Sequence, residues 1–138
     1  MQVMRHISKT IFLVGAIASF MATRAMADVA TETSTIGDFT ITLYLQDFLT
    51  KDDLTTLRLV AQDKNALALF VPAGGGFAAL AASPEDGFTK DGMPARSASA
   101  ISGLPDAATA ATQAVAACQA ASKAKATCVV LLEVAPNQ

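Results

Sequence analysis

Two cysteines, Cys118 and Cys128, are the residues of this chain best suited to covalent chemistry. Nine residues lie between them. That spacing excludes a Cys-x-x-Cys redox pair, and two ligands alone make no zinc site. In an exported protein an even cysteine count favours a disulfide, which is the pairing expected here. The alternative is two unpaired, buried thiols. A disulfide removes the thiol nucleophile, so any reaction falls to carboxylates, Ser/Thr hydroxyls, Lys and Tyr44.

The general base most often used at neutral pH is missing from most of the chain. The single histidine, His6, lies in residues 1–27, which have the pattern of a secretory signal peptide. Arg5 and Lys9 form a basic start, residues 11–21 an apolar run, and Ala25-Met26-Ala27 a small-residue cleavage site. The run falls short of the roughly 20 residues a bilayer span needs. Cleavage between Ala27 and Asp28 leaves 111 of the 138 residues, enough for one core. Three of the ten Lys and Arg, and none of the twelve Asp and Glu, fall in the leader. The remainder therefore carries seven basic and twelve acidic residues, a net charge of −5. Such a domain has no electrostatic reason to bind nucleic acid or an anionic membrane face. Periplasmic or secreted localisation is expected, with no membrane association after cleavage.

Each remaining polar candidate has a plainer structural explanation. Asp52-Asp53 resembles an acid pair, but with Thr50 it reads as a capped helix start. Glu133 lies in an apolar strand, where burial can raise a carboxyl pKa; a strand end in water is the ordinary alternative. Gly74-Gly75-Gly76 lacks the G-x-x-x-x-G-K-[ST] spacing of a phosphate loop and reads as a turn. Glu85, Asp86 and Asp91 do not form a calcium loop. Asp38 and Asp47 are isolated. Tyr44 stands with Thr40 and Thr42 on the polar side of a strand, placed for sheet packing or for anchoring a ligand. No residue is assigned to catalysis, to a cofactor or to a metal.

The elements that position these residues follow from periodicity and punctuation. Residues 28–37 are Thr/Ser/Glu-rich and read as a flexible N-terminus, ahead of a single domain over 38–138. Residues 39–46 alternate, with Phe39, Ile41, Leu43 and Leu45 on one side, and predict a half-buried strand. Residues 51–61 predict a helix, with a strand over 57–61 as the alternative. The apolar runs 66–71 and 77–82 flank a Pro/Gly-rich break and predict a hairpin. Turns are expected at Pro84-Glu85-Asp86-Gly87 and at Asp91-Gly92. The stretch from 82 to the last helix is long for a plain loop and predicts an extra hairpin, with a short edge strand over 97–101.

Eleven of the twenty residues from 107 to 126 are alanine, which with Asp106 at the start makes 106–122 the clearest helix. Its expected inner face is Ala107, Ala111, Ala114, Cys118 and Ala121. Residues 128–134 then form a strand, apolar on both faces and so central. The sum is an α+β fold: a two-layer sandwich of two helices on a largely antiparallel four- or five-stranded sheet, with the ferredoxin-like βαββαβ order as one version.

The C-terminal half resembles a group of short exported bacterial proteins of unknown function. The resemblance rests on Phe77-Ala78-Ala79-Leu80-Ala81, Pro84-Glu85-Asp86-Gly87, Leu104-Pro105-Asp106-Ala107, Cys118, Cys128-Val129-Val130 and Glu133-Val134-Ala135-Pro136. It implies a strand, an Ala-rich helix holding one Cys, and a strand beginning at the second. Some look-alikes are labelled 5-aminolevulic acid synthase. Pyridoxal-phosphate chemistry needs a Schiff-base Lys and a partner for the pyridinium nitrogen in a much larger fold, which 111 residues do not supply. The expected function is a non-enzymatic module that binds a periplasmic protein or an envelope component. The alternatives are a small carboxylate-dependent hydrolase or isomerase using Glu133, and a structural or stress-linked envelope protein.

Overall fold

The computed structural model describes residues 28–71, 75–123 and 126–137. Ala27 of the expected cleavage site, and Pro72, Ala73 and Gly74 of the expected turn, lie outside the described residues. The elements in order are β1 (Thr31–Ile36), β2 (Phe39–Tyr44), α1 (Lys51–Gln62), α2 (Lys64–Phe70), β3 (Phe77–Ala82), β4 (Thr89–Lys90), β5 (Met93–Pro94), β6 (Ser99–Leu104), α3 (Ala107–Ala121) and β7 (Val129–Pro136). Five strands form one antiparallel sheet in the order β1-β2-β7-β3-β6, and β4 and β5 form a separate hairpin.

The apolar C-terminal strand is central, as expected, with β2 on one side and β3 on the other. Its register explains why it is apolar on both faces. Leu80 pairs with Leu132 but Ala81 pairs with Val130, so Leu131 is an extra, bulged residue. Both Leu131 and Leu132 therefore bury in one core, with Ile41, Leu43, Ala78, Leu80 and Val134. Beyond the bulge the alternation resumes, turning Glu133 to the opposite face.

The α+β class and the largely antiparallel sheet are as the sequence indicates, and the helices are three in number. They divide between the faces. α1 and α2 supply Leu57, Val60, Ala61 and Leu67 to the first core. α3 covers β3, β6 and β7 on the other face, where Ala110, Ala114 and Cys118 meet Ala79, Ala81 and Cys128. A helix of small residues can lie close to a strand of small residues, and β3, alanine on both sides, is buried by both layers. The ferredoxin-like version, with both helices on one face of the sheet, does not apply: α1 and α2 pack on one face and α3 on the other.

Two segments correct the sequence reading. Residues 28–37 are not a flexible terminus, because 31–36 form the edge strand β1, in register with β2 from Thr31↔Tyr44 to Ile36↔Phe39. Threonine is a strand former, and its alternation with Glu32, Ser34 and Ile36 is a strand pattern. Gly37, at φ +55°, makes the tight turn into β2. Arg58 of α1 donates two hydrogen bonds to Glu32, at 3.0 and 2.7 Å, and the Ser34 hydroxyl donates to the Ala61 carbonyl at 2.5 Å. The guanidinium holds the Glu32 carboxyl below its usual range, by hydrogen bonding first and charge second.

Residues 66–71 are not a hairpin strand but fall largely in helix α2. Asp63 caps it, accepting from the Ala66 N–H at 2.8 Å, and the run up to Phe70 has Leu and Ala but no β-branched residue.

Other expected elements are present. α1 begins at a capping box, and α3 begins at Asp106, which accepts from the Thr109 N–H at 2.7 Å. α3 is rotated slightly from the expected face, burying Ala110, Ala114 and Cys118 rather than Ala107 or Ala121. The expected extra hairpin is β4–β5, turning at Asp91-Gly92 with φ of +55° and +77°. Those paired positive values define the two-residue turn that Asp-Gly favours.

Candidate binding surface

One face of the sheet is only half covered. α3 lies over β3, β6 and β7, and no described helix packs on the same face of β1 and β2. The side chains there follow from the register: Thr31 opposite Tyr44, Thr33 opposite Thr42, and Thr35 opposite Thr40. Glu133 of β7 is opposite Thr42 and continues the row. The three β1 threonines are exposed, whereas Thr40, Thr42, Tyr44 and Glu133 are half-buried. Cross-strand threonine pairs stabilise a sheet modestly. They also present hydroxyls that can donate and accept without a fixed charge.

Tyr44 and Glu133 anchor this surface. The Tyr44 hydroxyl donates to Glu133 Oε2 at 2.9 Å, a diagonal contact between neighbouring strands. At the opposite end the Thr40 hydroxyl donates to Asn137 Oδ1. Partial burial raises the Tyr44 pKa above its ordinary value, and the Glu133 hydrogen bond and charge push it the same way. A raised value means that the folded state holds the phenol proton. The contact's stabilisation is therefore complete below the ordinary tyrosine pKa of about 10 and is lost as pH rises through the folded value.

The chain has one tyrosine and no tryptophan, so the change in near-ultraviolet absorbance on alkaline titration follows this phenol alone. Alkaline titration of the folded protein should give a midpoint above that of the denatured chain. Glu133→Gln should move it part of the way back. Coincident midpoints in folded and denatured protein would show that the contact does not form.

No known protein family, curated protein or solved structure matches the chain. The reading of the site therefore rests on its residues.

The other sequence candidates resolve individually. Cys118 and Cys128 form the disulfide, with Cα atoms 6.1 Å apart, and the Cys128 N–H donates to Gln119 Oε1 at 3.0 Å. Asp53 is buried and structural. Its Oδ2 accepts from the Thr50 N–H at 3.1 Å, and its Oδ1 accepts from the Thr89 N–H at 2.9 Å and from the Thr89 hydroxyl at 2.5 Å. Its neighbour Asp52 is exposed and makes no acid pair with it.

Asp86 accepts from the Ser97 hydroxyl at 2.6 Å. Among the described residues no group of three or more His, Cys, Asp or Glu is placed to hold a metal. Gly75 and Gly76 precede β3 directly, at φ +69° and +76°, without the following helix a phosphate loop needs.

Sequence reasoning found Tyr44, Thr40 and Thr42 on one face but missed Thr31, Thr33 and Thr35. The available signal was the threonine at every second position. No described helix is long and apolar enough to cross a membrane.

Proposed function

We propose that this protein is an exported, disulfide-stapled binding domain that engages a periplasmic protein or envelope component through the open half of its sheet. The observation that carries this reading is the uneven cover of one face. A helix seals β3, β6 and β7, while the threonine rows of β1 and β2, with Tyr44 and Glu133, stand open beside it. An open sheet face built from hydroxyls and one anchored aromatic suits recognition better than chemistry. Glu133 sits on the sheet with a phenol as its partner rather than in a cleft beside a second acid. The leader pattern and the Cys118–Cys128 bridge support an oxidising compartment, where structural disulfides persist.

The test begins with the full chain expressed in a bacterial host. The exported product should start at Asp28 by intact mass. That product, immobilised, should recover a specific partner from periplasmic extract. Thr33→Arg, an exposed change at the centre of the threonine rows, should abolish recovery without altering the melting transition. A product starting at Met1 would overturn export. Repeated recovery of nothing, or full recovery by the arginine variant, would overturn the assigned surface.

A further inference from the structure

The connection between β3 and β6, residues 83–98, is locked on its inner side. Ser83, Phe88 and Ser97 are fully buried. The Gly87 N–H donates to the Ser83 carbonyl at 2.9 Å, and the Ala95 N–H to the Phe88 carbonyl at 2.8 Å. Ser97 holds Asp86, and Asp53 of α1 holds Thr89 through both its N–H and its hydroxyl. Phe88 packs against Phe70 of α2 with ring centroids 6.0 Å apart. Long connections held this firmly are a common setting for binding sites.

The outer side of the same connection, with the end of α3, walls a cleft of about 520 Å³. Lys90 enters from the hairpin, Arg96 from the segment before β6, and Lys123 from just beyond α3. Among the described residues none of the three has a carboxylate within 4.0 Å, and only Arg58 makes an ion pair. Asp86 and Asp91 also line the cleft, but Asp86 already accepts from Ser97 and Asp91 forms the hairpin turn. In a chain of net negative charge, three unpaired cations therefore converge on one concavity whose wall is fixed from behind.

We propose that this cleft binds a small ligand through an anionic group, a phosphate or a carboxylate. Arg96 offers a planar fork of donors for two anionic oxygens, while Lys90 and Lys123 act as point charges. The volume lies within the usual range for small-molecule sites, about 300–1,000 Å³. Because the cations are exposed, binding should weaken as salt rises.

The test is an amide-resolved NMR titration of the disulfide-bonded protein with inorganic phosphate and, separately, with succinate. Sodium chloride at matched ionic strength is the control. Saturable shifts at residues 86–96 and 121–123 are expected, and the anion that saturates identifies the group preferred. Arg96→Gln with Lys123→Gln should weaken binding about tenfold or more, since each removes a charge-assisted contact. Lys51→Gln, on α1 and outside the cleft, should leave it unchanged. All these side chains are exposed, so the variants should keep the wild-type spectrum elsewhere. Shifts that rise without saturating, that chloride reproduces, or that persist in the double variant would overturn the site.

Discussion

Asp53→Ala should cost about 3–4 kcal/mol, one of the two largest losses expected from a change at the described polar residues. The side chain is only 1 % exposed, and it satisfies three donors at once. Removing it opens the capping box of α1 and leaves the Thr50 N–H, the Thr89 N–H and the Thr89 hydroxyl without their acceptor. A lost helix cap alone costs roughly 1 kcal/mol. The larger share comes from two segments 36 positions apart in sequence losing the polar tie that Asp53 makes between them. The β4–β5 hairpin should loosen along with the start of α1, and amide exchange at Thr89 and Leu54 should report both. Urea unfolding of the variant gives the magnitude. A loss below about 1 kcal/mol would mean that Asp53 is a cap and nothing more.

The same carboxylate gives this prediction a pH signature. Burial alone would push the Asp53 pKa up, but hydrogen bonds from Thr89 and Thr50 outweigh it and hold the carboxyl below its ordinary range. A depressed folded pKa contributes stability above the unfolded value, and that contribution is lost as pH falls through the folded one. Asp53→Asn keeps the shape but turns an amide N–H toward a donor, so it too should be destabilising at neutral pH. The gap between wild type and Asp53→Asn should narrow as pH falls below about 4. Glu32 and Asp106 are also held low by their partners, but they titrate equally in both proteins and cancel from the difference. A gap that is constant with pH would place the effect in packing rather than charge.

The elements most legible in the sequence are those where local signals agree. In β2, alternation and β-branched residues coincide. In α1 and α3, a cap, an acid and a helix-forming run coincide. Where two signals conflicted, composition misled. Residues 31–36 look like a polar tail because threonine and serine are common in loops, yet each second residue is half-buried. Residues 66–71 look like a buried strand because they are short and apolar, yet Asp63 commits them to a helix.

The site was half legible for a related reason. Alternation alone puts Tyr44 on the polar face of its strand. Its partner Glu133 depends on which strands pair and on the bulge at Leu131, which resets the alternation of β7. No local pattern carries that information. The Asp53–Thr89 tie and the meeting of Lys90, Arg96 and Lys123 are likewise products of topology, visible only once the chain closes on itself.

Cys118→Ala with Cys128→Ala should lower stability by roughly 2–3 kcal/mol, from the loop-closure entropy that a bridge of this short span removes from the unfolded chain. For a domain of this size that corresponds to roughly 10–15 °C in Tm. The architecture makes α3 the element that depends on it. α3 buries Ala110, Ala114 and Cys118 against Ala79 and Ala81, so each contact removes little apolar area from water and contributes little. Its first turn is capped by Asp106, but its far end is tied to β7 mainly by the bridge and by the Gln119–Cys128 hydrogen bond. Loss of the bridge should therefore free α3 from its C-terminal end inward. Amides of the last turns of α3 should lose protection before those of α1, which packs Leu57 and Val60 into the larger core. Reductant should shift wild type to the midpoint of the double variant and leave the variant unmoved. Equal midpoints for oxidised wild type and the double variant would show that the alanine packing alone holds the helix.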